Sequence, residues 1–142
     1  SAIDGGGPRW LQRAAVPLVG AARAERETRA MRAAFRPKRD LMVERLRAMG
    51  VEFPREPEGT FYCWGSVAGL PRPLRDGMRF FREALRHRVL TVPGEFFDVN
   101  PGKRRTGRSP LSPFVRFSFG PPIEVVRRGL DRLERMIRSA RR

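Results

Sequence analysis

Between Trp10 and Gly50 the apolar residues of this 142-residue chain keep helical spacing. Met31, Phe35, Met42, Leu46 and Met49 recur at intervals of three, four and seven, which aligns one apolar stripe along a helix. Gly50 supplies the usual stop, because a glycine takes the left-handed angle that ends many helices. Pro17 ends or offsets a first short helix. Pro37 falls inside the pattern, where it removes one backbone donor and is expected to bend the helix near Ala33 to Phe35. A long helix bent in its middle connects two lobes more readily than it packs into a bundle. Few folds can accommodate it.

The second half alternates between short elements. Gly59 to Trp64 is rich in aromatics and predicts a strand entered from a turn at Pro57-Glu58. Asp76 is placed to cap a helix running to about Arg88, with Met78, Phe81 and Leu85 on its buried side. Val89 to Val92 predicts a short strand stopped by Pro93-Gly94. Phe96 to Pro113 reads as a long loop holding Lys103-Arg104-Arg105 and Arg108. In Phe114 to Phe119, Phe114, Arg116 and Ser118 point one way, and Val115, Phe117 and Phe119 the other. Pro121-Pro122 opens a last helix with Ile123, Val126, Leu130, Leu133 and Ile137 on one stripe. The expected fold is α+β, with helices packed on a short, mostly antiparallel sheet.

Composition narrows the partners. Apolar residues are 40% of the chain, enough for one packed core. No stretch approaches the roughly 18 apolar residues of a membrane span. The lone cysteine, Cys63, allows no internal disulfide and suits a reducing compartment. The N-terminus, Ser1-Ala2-Ile3-Asp4, has neither an initiator Met nor a signal pattern and reads as a cut within a longer protein. The formal charge is +15, from 30 Lys and Arg against 15 Asp and Glu. A nucleic-acid footprint would gather that charge on one face. Here it is spread from Arg9 to Arg142, and its densest loop run has no interleaved aromatics to stack on bases.

Catalytic groups are scarce. His87 sits between two arginines near a helix end and reads as a solvated helix residue. One His and one Cys fall short of a zinc site, so no metal is expected. Gly5-Gly6-Gly7 follows no strand and is no phosphate loop. Arg116 stands apart. It lies mid-strand between apolar neighbours, where a charge is costly unless an anion meets it. Its planar guanidinium matches a carboxylate, which could belong to a ligand or to an acid of the same fold.

Several blocks carry a resemblance. Pro57-Glu58-Gly59-Thr60-Phe61-Tyr62 resembles the "P-x-G-x-F-Y" strand of class I/II aminotransferases, and Val92-Pro93-Gly94-Glu95-Phe96-Phe97 their "V-x-P-G-x-x-F" turn. Val115-Arg116-Phe117-Ser118 is similar to their "[VI]-R-[LF]-[SA]" strand. Phe35-Arg36-Pro37-Lys38-Arg39-Asp40 resembles the "Y-x-x-[KR]-R-D" signature of the helix joining the two domains. Asp4-Gly5-Gly6 with Gln12-Arg13-Ala14-Ala15 resembles the segment that follows the cofactor lysine. The blocks stand in family order over nearly the whole chain.

The resemblance implies the small domain of the fold-type I pyridoxal-phosphate-dependent transferases. Residues 1–50 would be the tail of the large domain and the interdomain helix, and residues 51–142 the small domain. Arg116 would bind the substrate α-carboxylate, with Phe61 near the active-site wall. The whole enzyme would move an amino group between an amino acid and a 2-oxo acid, as a cytoplasmic homodimer. Sister families of the same fold are lyases, decarboxylases and cyclopropane-forming synthases. The lysine, aspartate and phosphate cradle that hold pyridoxal 5'-phosphate would lie upstream, since Lys38 and Lys103 match no such motif. This chain alone would then hold no catalytic residue and be inactive. Two other classes remain: a basic nucleic-acid-binding module, and a stand-alone interaction domain derived from the small domain.

Overall fold

A computed structural model describes residues 7–100 and 104–141. Asp4-Gly5-Gly6 and Lys103 lie outside the described residues. The chain divides into two compact units, Ser1–Arg36 and Pro37–Arg142. In the first, α1 (Arg9–Ala15) is followed by a 3-10 turn, Val16–Leu18, so Pro17 does offset a short helix. Helix α2 (Ala21–Met49) begins in this unit and runs unbroken through Pro37. The predicted stripe needs correction here. Met31 is 57% exposed, and none of residues 7–36 is buried.

The second unit holds the core. Met42, Val43, Leu46 and Met49 of α2 are buried in it. Gly50 takes φ +100° and closes the helix, the Val51 amide donating to Leu46 O at 3.0 Å. Val51 and Leu46 are both buried, the apolar contact that accompanies such a stop. Three strands follow: β1 (Tyr62–Ser66), β2 (Val92–Pro93) and β3 (Phe114–Ser118), with α3 (Gly77–Arg86) between β1 and β2 and α4 (Ile123–Ser139) last. The sheet order is β1-β3-β2, antiparallel throughout. One face turns Cys63, Val115 and Phe117 into the core, where Phe80 of α3 meets Phe117 edge-on at 5.7 Å. On α4, Val126, Leu130, Leu133 and Ile137 of the predicted stripe are buried together with Met136, while Ile123 is half-buried.

Three local expectations shift. Strand β1 starts at Tyr62, not Gly59, because Thr60 sits at φ 65° with its hydroxyl accepting from the Tyr62 amide at 3.1 Å. It continues to Ser66 because Gly65 has no side chain: a Cβ there would lie 2.5 Å from Val51 Cγ1. Strand β2 starts at Val92 rather than Val89, since the Val89 amide is taken by Ala84 O at 2.8 Å to close α3. Asp76 caps α3 as expected, accepting from the Arg79 amide at 2.9 Å. Its buried face, however, is Gly77, Phe80 and Ala84, with Leu85 exposed. Gly77 lets the helix approach the sheet closely. A Cβ on Gly77 would stand 2.4 Å from Phe114 O, and one on Gly94 would stand 2.9 Å from the same oxygen.

A few of the basic side chains close backbone carbonyls. The Arg141 guanidinium donates to Met49 O at 3.1 Å, Arg132 to Arg88 O at 3.0 Å, and Arg75 to Leu70 O at 2.8 Å. Lys38 Nζ donates to Gly120 O and Pro121 O, both at 3.0 Å, just ahead of α4. Arg45 bridges α2 to Asp131 and Glu134 of α4 at 2.9 and 2.8 Å. In the basic loop, Arg105 pairs with Asp98 and Arg108 with Asp76. The Arg105 hydrogen bond, aided by Ser109, holds the Asp98 carboxyl below the usual range.

Candidate substrate-carboxylate site

Alternation along β1 and β3 decides which side chains share the second face of the sheet. Tyr62 and Trp64 of β1 and Phe114, Arg116 and Ser118 of β3 fall on the face opposite Cys63, Val115 and Phe117. Register then sets neighbours. Arg116 lies directly across from Trp64 on one side and from Val92 on the other. The central strand thus carries the one cation of this face, flanked by both partner strands.

Aromatic rings surround that cation. Arg116 Cζ stands 5.0 Å from the Tyr62 ring centroid and 5.2 Å from that of Phe97, within the range of favourable cation–π contact. Tyr62 comes from β1, and Phe97 from the 3-10 turn (Gly94–Phe97) after β2. Trp64 meets Phe97 edge-on at 5.4 Å and stacks on Phe114 at 5.6 Å with an interplanar angle of 16°. Arg116 Nε is buried without a hydrogen-bond partner. Among the described residues no carboxylate forms an ion pair with Arg116, whereas thirteen other basic–acidic contacts do form. An internal salt bridge is therefore not what Arg116 makes within those residues. A half-buried guanidinium with no acid partner among the described residues is complementary to an external planar anion.

The other predicted positions behave differently. Phe61 precedes β1, is 50% exposed, and touches Tyr62 edge-on at 5.5 Å. It belongs neither to the core nor to the rings over Arg116. His87 caps the C-terminal end of α3, its Nε2 3.6 Å from Glu83 Oε1. Sequence reasoning missed Trp64, Phe97 and Phe114 as parts of the site. The register of β1 on β3 carries that signal, because it places residues 64 and 116 side by side. Among the described residues no three His, Cys, Asp or Glu are grouped to hold a metal ion, and no helix is long and apolar enough to cross a membrane.

Cys63 faces the core, and burial pushes its thiol up to about 12. Only the unfolded chain can release that proton near the ordinary value of 9.0. The contribution of this burial to stability is thus fully present below 9.0 and is lost as pH rises towards 12. The folded chain at pH 8 is expected to resist thiol-specific labelling, and urea to expose one reactive thiol; prompt labelling of the folded chain would contradict this burial.

The residues also bear on pyridoxal phosphate. Lys38 Nζ is committed to two backbone carbonyls, and the described residues assemble no amine beside a phosphate cradle.

The family model for "Aminotransferase class I and II" matches residues 6–133. An aspartate aminotransferase of Thermotoga maritima is 37% identical over 106 residues, 74% of this chain and 23% of that protein. One from Sulfurisphaera tokodaii is 26% identical, covering 78% of this chain and 26% of that protein. This chain thus spans about a quarter of the length of the curated relatives it matches. Among solved structures, the Thermotoga maritima aspartate aminotransferase superposes with TM-score 0.57 at 33% identity, covering 77% of this chain and 24% of that one. The aromatic aminotransferase of Pyrococcus horikoshii superposes with TM-score 0.66 at 24% identity, covering 84% and 28%, a likeness of fold. With a family match over most of its length and an α+β fold found within these enzymes, the chain belongs to the class I and II aminotransferases.

Proposed function

We propose that this chain is the carboxylate-binding part of a pyridoxal-phosphate-dependent aminotransferase that moves an amino group between an amino acid and a 2-oxo acid. Arg116 receives the α-carboxylate in this scheme. One observation carries it: the guanidinium lies among aromatic rings with no acid partner among the described residues. Two parallel donors facing two carboxylate oxygens fix the ligand in plane and in distance, which is a positioning role. The cofactor supplies the electron sink in such chemistry. Its holding residues are assigned to the part of the enzyme that the roughly threefold longer relatives carry and this chain does not span. Residues 1–50 then form the tail of the large domain with the interdomain helix, and residues 51–142 the small domain.

The test compares donors in the whole enzyme supplied with pyridoxal phosphate. Amino transfer to a 2-oxo acid is expected from an L-amino acid, and far more weakly from the amine that lacks only its carboxylate. Equal turnover of the two donors would overturn the assignment.

A further inference from the structure

Arg116 is the end of a chain of ring contacts, and each link restrains the next. Trp64 is held flat against Phe114 and in turn meets Phe97 edge-on. Tyr62 of β1 and Phe97 of the turn after β2 then reach the guanidinium from either side of β3. A cation held over aromatic faces keeps its plane, and the rings occupy the space in which it would otherwise turn. Burial of Nε places the remaining hydrogen-bonding capacity at the outer end of the guanidinium. Phe97 is itself 41% exposed and contributes little to the core, so its position in the turn is not explained by burial alone.

We infer that Tyr62 and Phe97 are positioning residues, Phe97 steadied by Trp64, which hold the Arg116 guanidinium edge-on so that its outer donors meet a planar carboxylate. This inference rests on the carboxylate assignment of Arg116 made above. It adds two residues that touch the arginine rather than the substrate. A tetrahedral anion, whose third oxygen leaves the guanidinium plane, would fit the bracket less well than a carboxylate does.

The test uses nuclear magnetic resonance on the 142-residue chain, with pyruvate as the probe and acetone as the control that lacks a carboxylate. The Arg116 Nε–H signal, assigned by its loss in Arg116→Lys, is expected to be narrow and displaced by the neighbouring rings. Phe97→Ala should move it to the position of ordinary solvated arginines and weaken pyruvate binding about tenfold, as expected for losing one cation–π contact at a partly desolvated site. Phe97→Tyr should restore both, and acetone should shift nothing. If pyruvate shifts the signal in the unsubstituted chain but Phe97→Ala changes neither signal nor affinity, the positioning role is overturned while the carboxylate assignment survives. If pyruvate leaves the Arg116 signal unmoved, the carboxylate assignment fails and the positioning role falls with it, whatever Phe97→Ala does.

Discussion

Arg116→Gln is expected to lower kcat/KM for an amino-acid donor by about 10²- to 10³-fold in the whole enzyme, since losing two charge-assisted hydrogen bonds costs about 3–4 kcal/mol. Glutamine is long enough to remain in the slot but offers one amide and no charge. Arg116→Lys restores the charge without the two parallel donors, and is expected to recover no more than about a tenth of the lost activity. The same substitutions should leave a donor without a carboxylate nearly unaffected, because its transition state never used the arginine. Steady-state kinetics with both donors separates the cases. A loss shared equally by both would mean that Arg116 supports the fold rather than the substrate.

Phe80→Ala is the second large effect. The ring is fully buried and meets Phe117 edge-on at 5.7 Å. Removing such a ring typically costs about 3–5 kcal/mol, transfer and cavity together. For a unit of this size, that amounts to a fall in melting temperature of roughly 15–25 °C. Phe81→Ala should cost much less, because Phe81 lies on the half-exposed side of α3 with Phe96 6.4 Å away. Thermal unfolding of the two variants side by side decides it. Equal losses would mean that the helix packs on the face that periodicity predicts rather than the one observed.

That pair also marks where the sequence stops being informative. On α3 both faces contain phenylalanine, and apolar counting favours Met78, Phe81 and Leu85. The winning face has Gly77, whose merit is smallness against the Phe114 carbonyl, a property visible only once strand β3 is in place. Similarly, the Val89 amide looks available for a strand until the end of α3 claims it. Where a single pattern had no rival, the residues sufficed. The alternation of β3, the Asp76 cap, the Gly50 stop and the stripe of α4 appear as their spacing predicts. Arg116 could be singled out because a mid-strand charge is costly anywhere. Its neighbours could not, since Trp64 and Phe97 are 52 and 19 positions away in the chain and only strand register brings them near.

The basic side chains that close backbone ends also shape how the second unit comes apart. Arg141 satisfies the end of α2 from 92 residues away, and Lys38 reaches the carbonyls ahead of α4 across 82 and 83. The Arg141 bond cannot form while α2 is alone, so α2 frays at that end until the C-terminal end of α4 has docked. Loss of either contact should loosen both helices together and broaden a single melting transition, rather than split off one segment.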